Sequence, residues 1–222
     1  MISKSVPIRR VIRTLERLYQ PPKSFLMHRT PFELLVATVL SAQCTDVRVN
    51  IITERLFEKF RTPEDVAQAP LATLTRLIRS CSYPNAKARY LRGFSKIILE
   101  RHGGKVPDTM EELVRLPGVG RKTASIILAV AFGKLEGIAV DTHVFRAARR
   151  LGLSQGRTPQ RVEQDLMEAV PRRKWGELNP LLISFGRDIC TARNRRCPQC
   201  PFCMACPSSE VMEREDRAGD RV

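Results

Sequence analysis

The stretch Leu116–Phe132, LPGVGRKTASIILAVAF, sets a proline, two glycines, an arginine and a lysine directly before an apolar helical run. Gly118 and Gly120 permit backbone angles and close approaches that a side chain would obstruct. Leu113 and Leu116 supply apolar anchors before the turn, and Ala124, Ile127, Leu128 and Ala131 recur at helical spacing after it. The spacing predicts a helix, a hairpin turn and a second helix whose first backbone N–H groups lack intrahelical partners. Such a nest binds an anion. Beside Gly118, Gly120, Arg121 and Lys122 the expected anion is a backbone phosphate, a contact that positions a duplex without reading its sequence.

The charge balance agrees. The 222 residues carry 38 Lys+Arg against 23 Asp+Glu, a formal charge of +15. A charge of that size favours a polyanionic partner, because each neutralised phosphate releases counterions. The N-terminal MISKSVPIRRVIRTLERLYQ scatters charge through its length and offers no apolar signal segment. Ile126–Phe132 is the longest apolar run and is far too short to cross a bilayer. These features predict a cytoplasmic protein associated with the nucleoid and not with a membrane, where disulfides are disfavoured.

Helix signals recur along the chain, and no convincing alternating strand interrupts them. Val11, Leu15 and Leu18 share one face of an opening helix. Thr30-Pro31-Phe32-Glu33 reads as a capping box with proline at the first helical position, and Asp46 as the cap of the next helix. Thr62 with Asp65, Thr109 with Glu112, and Thr158-Pro159 mark further starts. A helix opened at Asn85 runs through Leu91, Phe94 and Ile98 to Gly103-Gly104. The pattern predicts an all-α fold of nine or ten short helices. The charged segment 209–222 is expected to be flexible.

Two residues admit a chemical reading beside a bland one. Lys122 falls in the first turn of its helix, where the positive end of the dipole disfavours an ammonium. It is either a solvated phosphate contact or, with partial desolvation, a neutral amine able to attack carbon. Asp141, in AVDTHVF, is most simply an N-cap. A carboxylate there could also stabilise a cationic sugar transition state and manage protons.

Five of the seven cysteines crowd into seventeen positions, as Cys190-x6-Cys197-x2-Cys200-x5-Cys206 with Cys203 between the last two. Four thiolates in one loop suit zinc or an iron–sulfur cluster equally, and Cys203 creates a rival ladder of ligands. Spacing alone leaves metal and ligands open.

In combination, LPGVGRKTASIILAVAF, AVDTHVFR, the cysteine loop and PFELLVATVLSAQCTD (Pro31–Asp46) resemble the endonuclease III family of helix-hairpin-helix DNA glycosylases. The resemblance implies a bilobal all-α fold: a six-helix barrel over 24–135 and a second lobe from 1–23 and 136–208. It implies a 4Fe–4S cluster on Cys190, Cys197, Cys200 and Cys206, with Cys203 left over. Lys122 matches the Schiff-base nucleophile and Asp141 the catalytic aspartate. Gln43 matches the residue that enters the duplex where the damaged base has left. The hairpin residues Leu116, Gly118, Val119, Gly120 and Arg121, and the basic loop Arg193, Arg195 and Arg196, match DNA contacts.

One segment departs from the family. Where the family shows a glycine, a large apolar residue and Tyr-Asn, this chain reads CSYPNAKA, Cys81–Ala88, so Tyr83 or Pro84 replaces the usual wedge. A tyrosine there can stack on the orphaned base. The implied activity is that of a monomeric DNA glycosylase with AP lyase activity, acting on oxidised pyrimidines in damaged double-stranded DNA. The base must be flipped out of the stack to be reached. The rival readings are a G·T or G·U mismatch glycosylase on the same scaffold, and a non-catalytic DNA-binding iron–sulfur protein.

Overall fold

A computed structural model describes residues 5–20 and 24–211. In chain order the helices are α1 (Ile8–Leu18), α2 (Pro31–Leu40), α3 (Asp46–Phe57), α4 (Pro63–Gln68), α5 (Leu71–Leu77) and α6 (Pro84–His102). They continue with α7 (Met110–Leu113), α8 (Arg121–Phe132), α9 (Thr142–Arg150), α10 (Pro159–Ala169) and α11 (Trp175–Asp188). Short 3-10 turns occupy Arg172–Lys174 and Cys197–Gln199. Among the described residues no strand is present, so the fold is all-α. Among the described residues it has eleven α-helices rather than nine or ten, because α5 and α11 form where no helix start was read from the sequence.

The chain divides into two compact units. One spans Ser24–Glu136 and is built around α2, where every residue from Phe32 to Leu40 is buried. A helix apolar on all sides belongs inside a core. Helices α3, α6 and α8 pack against it, and α4 and α5 lie on α6. Phe32 meets Phe94 edge to face, with ring centroids 6.2 Å apart.

The starts of these helices follow local hydrogen-bonding rules, with three differences from the sequence reading. Thr30 accepts from the Glu33 amide, but Glu33 Oε2 turns to the Arg29 amide at 2.6 Å, one residue outside the expected box. Thr45, not Asp46, caps α3 by accepting from the Arg48 amide, and Asp46 becomes the first helical residue. Thr62 and Asp65 form the full reciprocal box on α4. Helix α6 begins at Pro84, one residue before the expected Asn85, and ends on Gly103 in the left-handed conformation.

The second unit joins Met1–Lys23 to Gly137–Val222. Helix α1 packs on α11, which also carries α9. Val11, Ile12 and Leu15 form the buried face of α1, whereas Leu18, expected on the same face, is exposed. The Val6 amide donates to Leu151 O at 3.0 Å, tying the chain's start to this unit. Of the segment 209–222 that was expected to be flexible, Ser209 is buried and Glu210 pairs with Arg195 at 2.8 Å. The remainder of that segment, 212–222, lies outside the described residues.

Candidate functional site

The glycine-rich stretch forms the predicted hairpin. Helix α7 ends, Val119 N closes a turn on Leu116 O at 3.1 Å, and α8 starts at Arg121. The two glycines differ in kind. Gly118 has φ 78°, and a Cβ there would meet the Tyr90 ring at 2.7 Å. Gly120 has an ordinary extended conformation and nothing within 4 Å of the place a Cβ would take.

No side chain caps α8, and its first turn holds no acidic residue. Gly120, Arg121 and Lys122 are exposed there. A helix start without cap or carboxylate, flanked by cations, has the form of a phosphate site. Leu116 and Val119 are also in the hairpin, but they are buried in the core, so their side chains offer no surface for the expected DNA contact.

In the same unit the structure brings together two residues far apart in sequence. Gln43 and Tyr83 are, among the described residues, the two non-glycine residues with positive φ, at 54° and 55°. Non-glycine residues rarely adopt this conformation, and it persists only where the surroundings impose it. Here Ser82 Oγ donates to Gln43 O at 2.5 Å, joining the turns. Gln43 is exposed and Tyr83 is 65% exposed, so neither side chain packs inward.

In the unit formed by the chain ends, Asp141 is the N-cap of α9. Its Oδ1 accepts from the amides of His143 and Val144, both at 2.8 Å. Neither bond uses Oδ2. The cap reading therefore holds, and it leaves one carboxylate oxygen outside the cap. Lys122 belongs to the other unit, at the second position of α8.

Cys190, Cys197, Cys200, Cys203 and Cys206 line one cavity in the chain-end unit, together with Arg150, Phe185 and Arg195. Burial pushes the Cys200 thiol up to about 12 and raises Cys206 as well. A thiolate at either position therefore needs a cation beside it. Among the described residues, no three of His, Cys, Asp or Glu gather closely enough to hold a single metal ion.

Arginines that the sequence did not single out brace this loop. Arg150 donates to Thr191 O at 2.7 Å and reaches Cys190 Sγ at 3.6 Å, while Arg146 Nε donates to Cys190 O at 3.0 Å. Of the three arginines of this loop expected to contact DNA, Arg193 is exposed. Arg195 is held by Glu210 and by Ser208 O at 2.7 Å, and Arg196 pairs with Asp188 at 3.2 Å. Arg195 thus serves the local fold first.

Known proteins share this architecture. Residues 36–172 match the family described as HhH-GPD superfamily base excision DNA repair protein. The chain is 41% identical over 211 residues to Endonuclease III of Synechocystis sp., covering 95% of this chain and 96% of that protein. Endonuclease III of Bacillus subtilis is 44% identical over 191 residues, covering 86% and 87%. Among solved structures, a trapped endonuclease III–DNA covalent intermediate in an estranged-adenine complex superposes with TM-score 0.90 at 41% identity. That match covers 96% of this chain and 100% of the other. A thermostable thymine-DNA glycosylase superposes with TM-score 0.77 at 25% identity, covering 92% and 95%.

Proposed function

The chain belongs to the endonuclease III family of HhH-GPD base excision DNA repair proteins, and from this we infer the reaction its residues carry out. It is a DNA glycosylase with AP lyase activity. Its substrate class is duplex DNA bearing oxidised pyrimidines. The observation that carries this reading is the uncapped, cation-flanked start of α8 with exposed Lys122 in its first turn. The 41–44% identity to endonuclease III proteins, against 25% to a thymine-DNA glycosylase, favours it over the mismatch reading.

In this proposal Lys122, as the neutral amine, attacks C1′ of the damaged nucleotide while the N-glycosidic bond breaks and the base leaves. Asp141 stabilises the positive charge that develops on the sugar. Opening of the ring yields an imine between Nζ and C1′. The imine acidifies the C2′ proton, whose removal expels the 3′ oxygen and cuts the strand on that side of the lesion. The solved relative trapped as a covalent protein–DNA intermediate supports an amine nucleophile here. Gln43 and Tyr83 would occupy the gap left by the flipped nucleotide. The hairpin amides and Arg121 would hold the phosphate backbone, with Arg193 and the outer arginines of the cysteine loop adding charge.

The cysteine-lined cavity fits the 4Fe–4S cluster expected in the endonuclease III family to which the chain belongs. Its buried thiols demand cationic partners. Cys190, Cys197, Cys200 and Cys206 would be the ligands, and the cluster when bound would brace the loop they define. Incubation with a thymine-glycol duplex and borohydride tests the reaction: a covalent protein–DNA band is expected. Its absence, with the duplex bound, would mean a binding protein without lyase chemistry.

A further inference from the structure

Lys87 plays no part in the chemistry above, yet it is 4% exposed. Lysine is almost never so buried unless its charge is satisfied. Its Nζ donates to Leu40 O at 2.8 Å and to Ala42 O at 2.7 Å. Leu40 is the last residue of α2, whose closing carbonyls lack intrahelical partners and carry the negative end of the helix dipole. The ammonium therefore caps α2 from outside the helix.

The second bond is the more informative. Ala42 directly precedes Gln43, so Lys87 fixes the peptide from which the positive φ of Gln43 starts. At its own backbone, Lys87 N donates to Tyr83 O at 3.1 Å. One residue is thus bonded through its main chain to one strained turn and through its side chain to the other. The Ser82–Gln43 bond closes the same circuit from the exposed side. Cys81 Sγ also lies against Leu40 O, at 3.9 Å.

An apolar side chain of similar length would fill this space without the cost of burying an ammonium. What the ammonium adds is a pair of directional bonds to consecutive parts of the turn. Burial lowers the Lys87 pKa, with the neighbouring Cys81 and Cys44 thiols opposing, so its partners do not fully compensate the desolvation. The arrangement costs stability and delivers geometry.

We propose that Lys87 is the positioning residue for the pair that enters the duplex, locking Gln43 and Tyr83 into one preformed unit before DNA arrives. The inference rests on the reading that Gln43 and Tyr83 face the gap. Side chains held in place in the free protein need not be ordered on binding, and affinity for the gapped duplex gains accordingly.

The test compares two ligands: a duplex holding a tetrahydrofuran abasic analogue, and the same duplex undamaged. Lys87→Met should keep its helical circular dichroism and its affinity for undamaged duplex, which the phosphate contacts set. Affinity for the analogue duplex should fall about tenfold, the ordering cost of two side chains. On a Gln43→Ala background the same change should cost only about threefold, because one of the two side chains it positions is gone. Lys87→Gln, which keeps one donor head, should fall between wild type and Lys87→Met.

Equal losses on both duplexes, or full additivity with Gln43→Ala, would overturn the proposal. So would unfolding of both Lys87 variants, which would make Lys87 a support of the fold alone. If instead Gln43→Ala by itself leaves analogue binding unchanged, the underlying reading of the gap residues is wrong, and this inference goes with it.

Discussion

Gly118 sits against Tyr90 so closely that a Cβ on the glycine would lie 2.7 Å from the ring, whereas Gly120, two residues on, faces open space. The two glycines of the hairpin are therefore separable by mutation. Gly118→Ala must both tolerate positive φ and displace Tyr90, and should destabilise the protein by about 2 kcal/mol. Gly120→Ala should change stability by less than about 1 kcal/mol, since its conformation suits any residue and only the cap preference is lost. It should nonetheless weaken damaged and undamaged duplex alike, measured by titration at two salt concentrations. Normal binding by folded Gly120→Ala with selective loss of lesion discrimination would contradict the phosphate role.

Lys122→Gln should keep fold and DNA affinity yet give no borohydride-trapped adduct with a thymine-glycol duplex. Lys122→Arg should not restore trapping, because a guanidinium stays protonated and forms no imine. Incision at the wild-type rate by Lys122→Gln would reduce Lys122 to a phosphate contact.

Asp141 carries two duties that one pair of variants divides. Asp141→Ala removes the cap on the His143 and Val144 amides and should cost about 1 kcal/mol of stability. Asp141→Asn keeps an oxygen to accept those bonds, so thermal stability should stay near wild type while trapping falls sharply. Equal trapping by Asp141→Asn and wild type would leave Asp141 as a cap and nothing more.

The purified protein should be brown and contain about four irons. Cys200→Ser should lose colour and iron and destabilise the chain-end unit, while Cys203→Ser should keep both. Stoichiometric zinc in a colourless preparation, or equal loss in the two variants, would show the ligand set to be wrong.

Asp65 gives the acid response a measurable part. The backbone amide of Thr62, with that of Arg61 and the Thr62 side chain, holds its carboxyl below the ordinary 3.8, against the opposing effect of burial. A carboxyl lowered by folding contributes stability that is complete above its unfolded value and is lost as pH falls through the folded one. Asp65→Asn should therefore lower the thermal midpoint at pH 7, and the gap to wild type should close below about pH 4. A gap that stays constant from pH 7 to pH 2 would mean that the Asp65 charge contributes nothing.

Helix starts were legible in the sequence because capping is decided within four residues, as Thr62-Pro63-Glu64-Asp65 shows. The shift from Asp46 to Thr45 on α3 arises because adjacent residues could both cap, and backbone geometry alone chooses the hydroxyl. The hairpin, the cap on α9 and the shared cysteine cavity were likewise readable from spacing. The supporting residues were not. Lys87 is buried by carbonyls 40 and 42 of a different helix end, and Arg150 finds the cysteine loop about forty positions away. Arg195 looked like its basic neighbours, and only folding places Glu210 beside it. Such roles depend on which distant segment arrives next to a side chain, which no local pattern records.

A unit sewn from both ends of the chain constrains the order in which the protein can form during synthesis. Translation delivers the Ser24–Glu136 unit whole, so it can fold as soon as it leaves the ribosome. Helix α1 emerges before that unit, yet Val11, Ile12 and Leu15 must wait for α11 to cover them. Until then they are an open apolar stripe on the nascent chain, closed only by contacts spanning most of its length. The cysteine loop comes later still, behind α11, so it cannot seed the folding of the Ser24–Glu136 unit. A truncated product that stops before α11 would carry a folded middle unit with that stripe exposed, a target for chaperones and proteases.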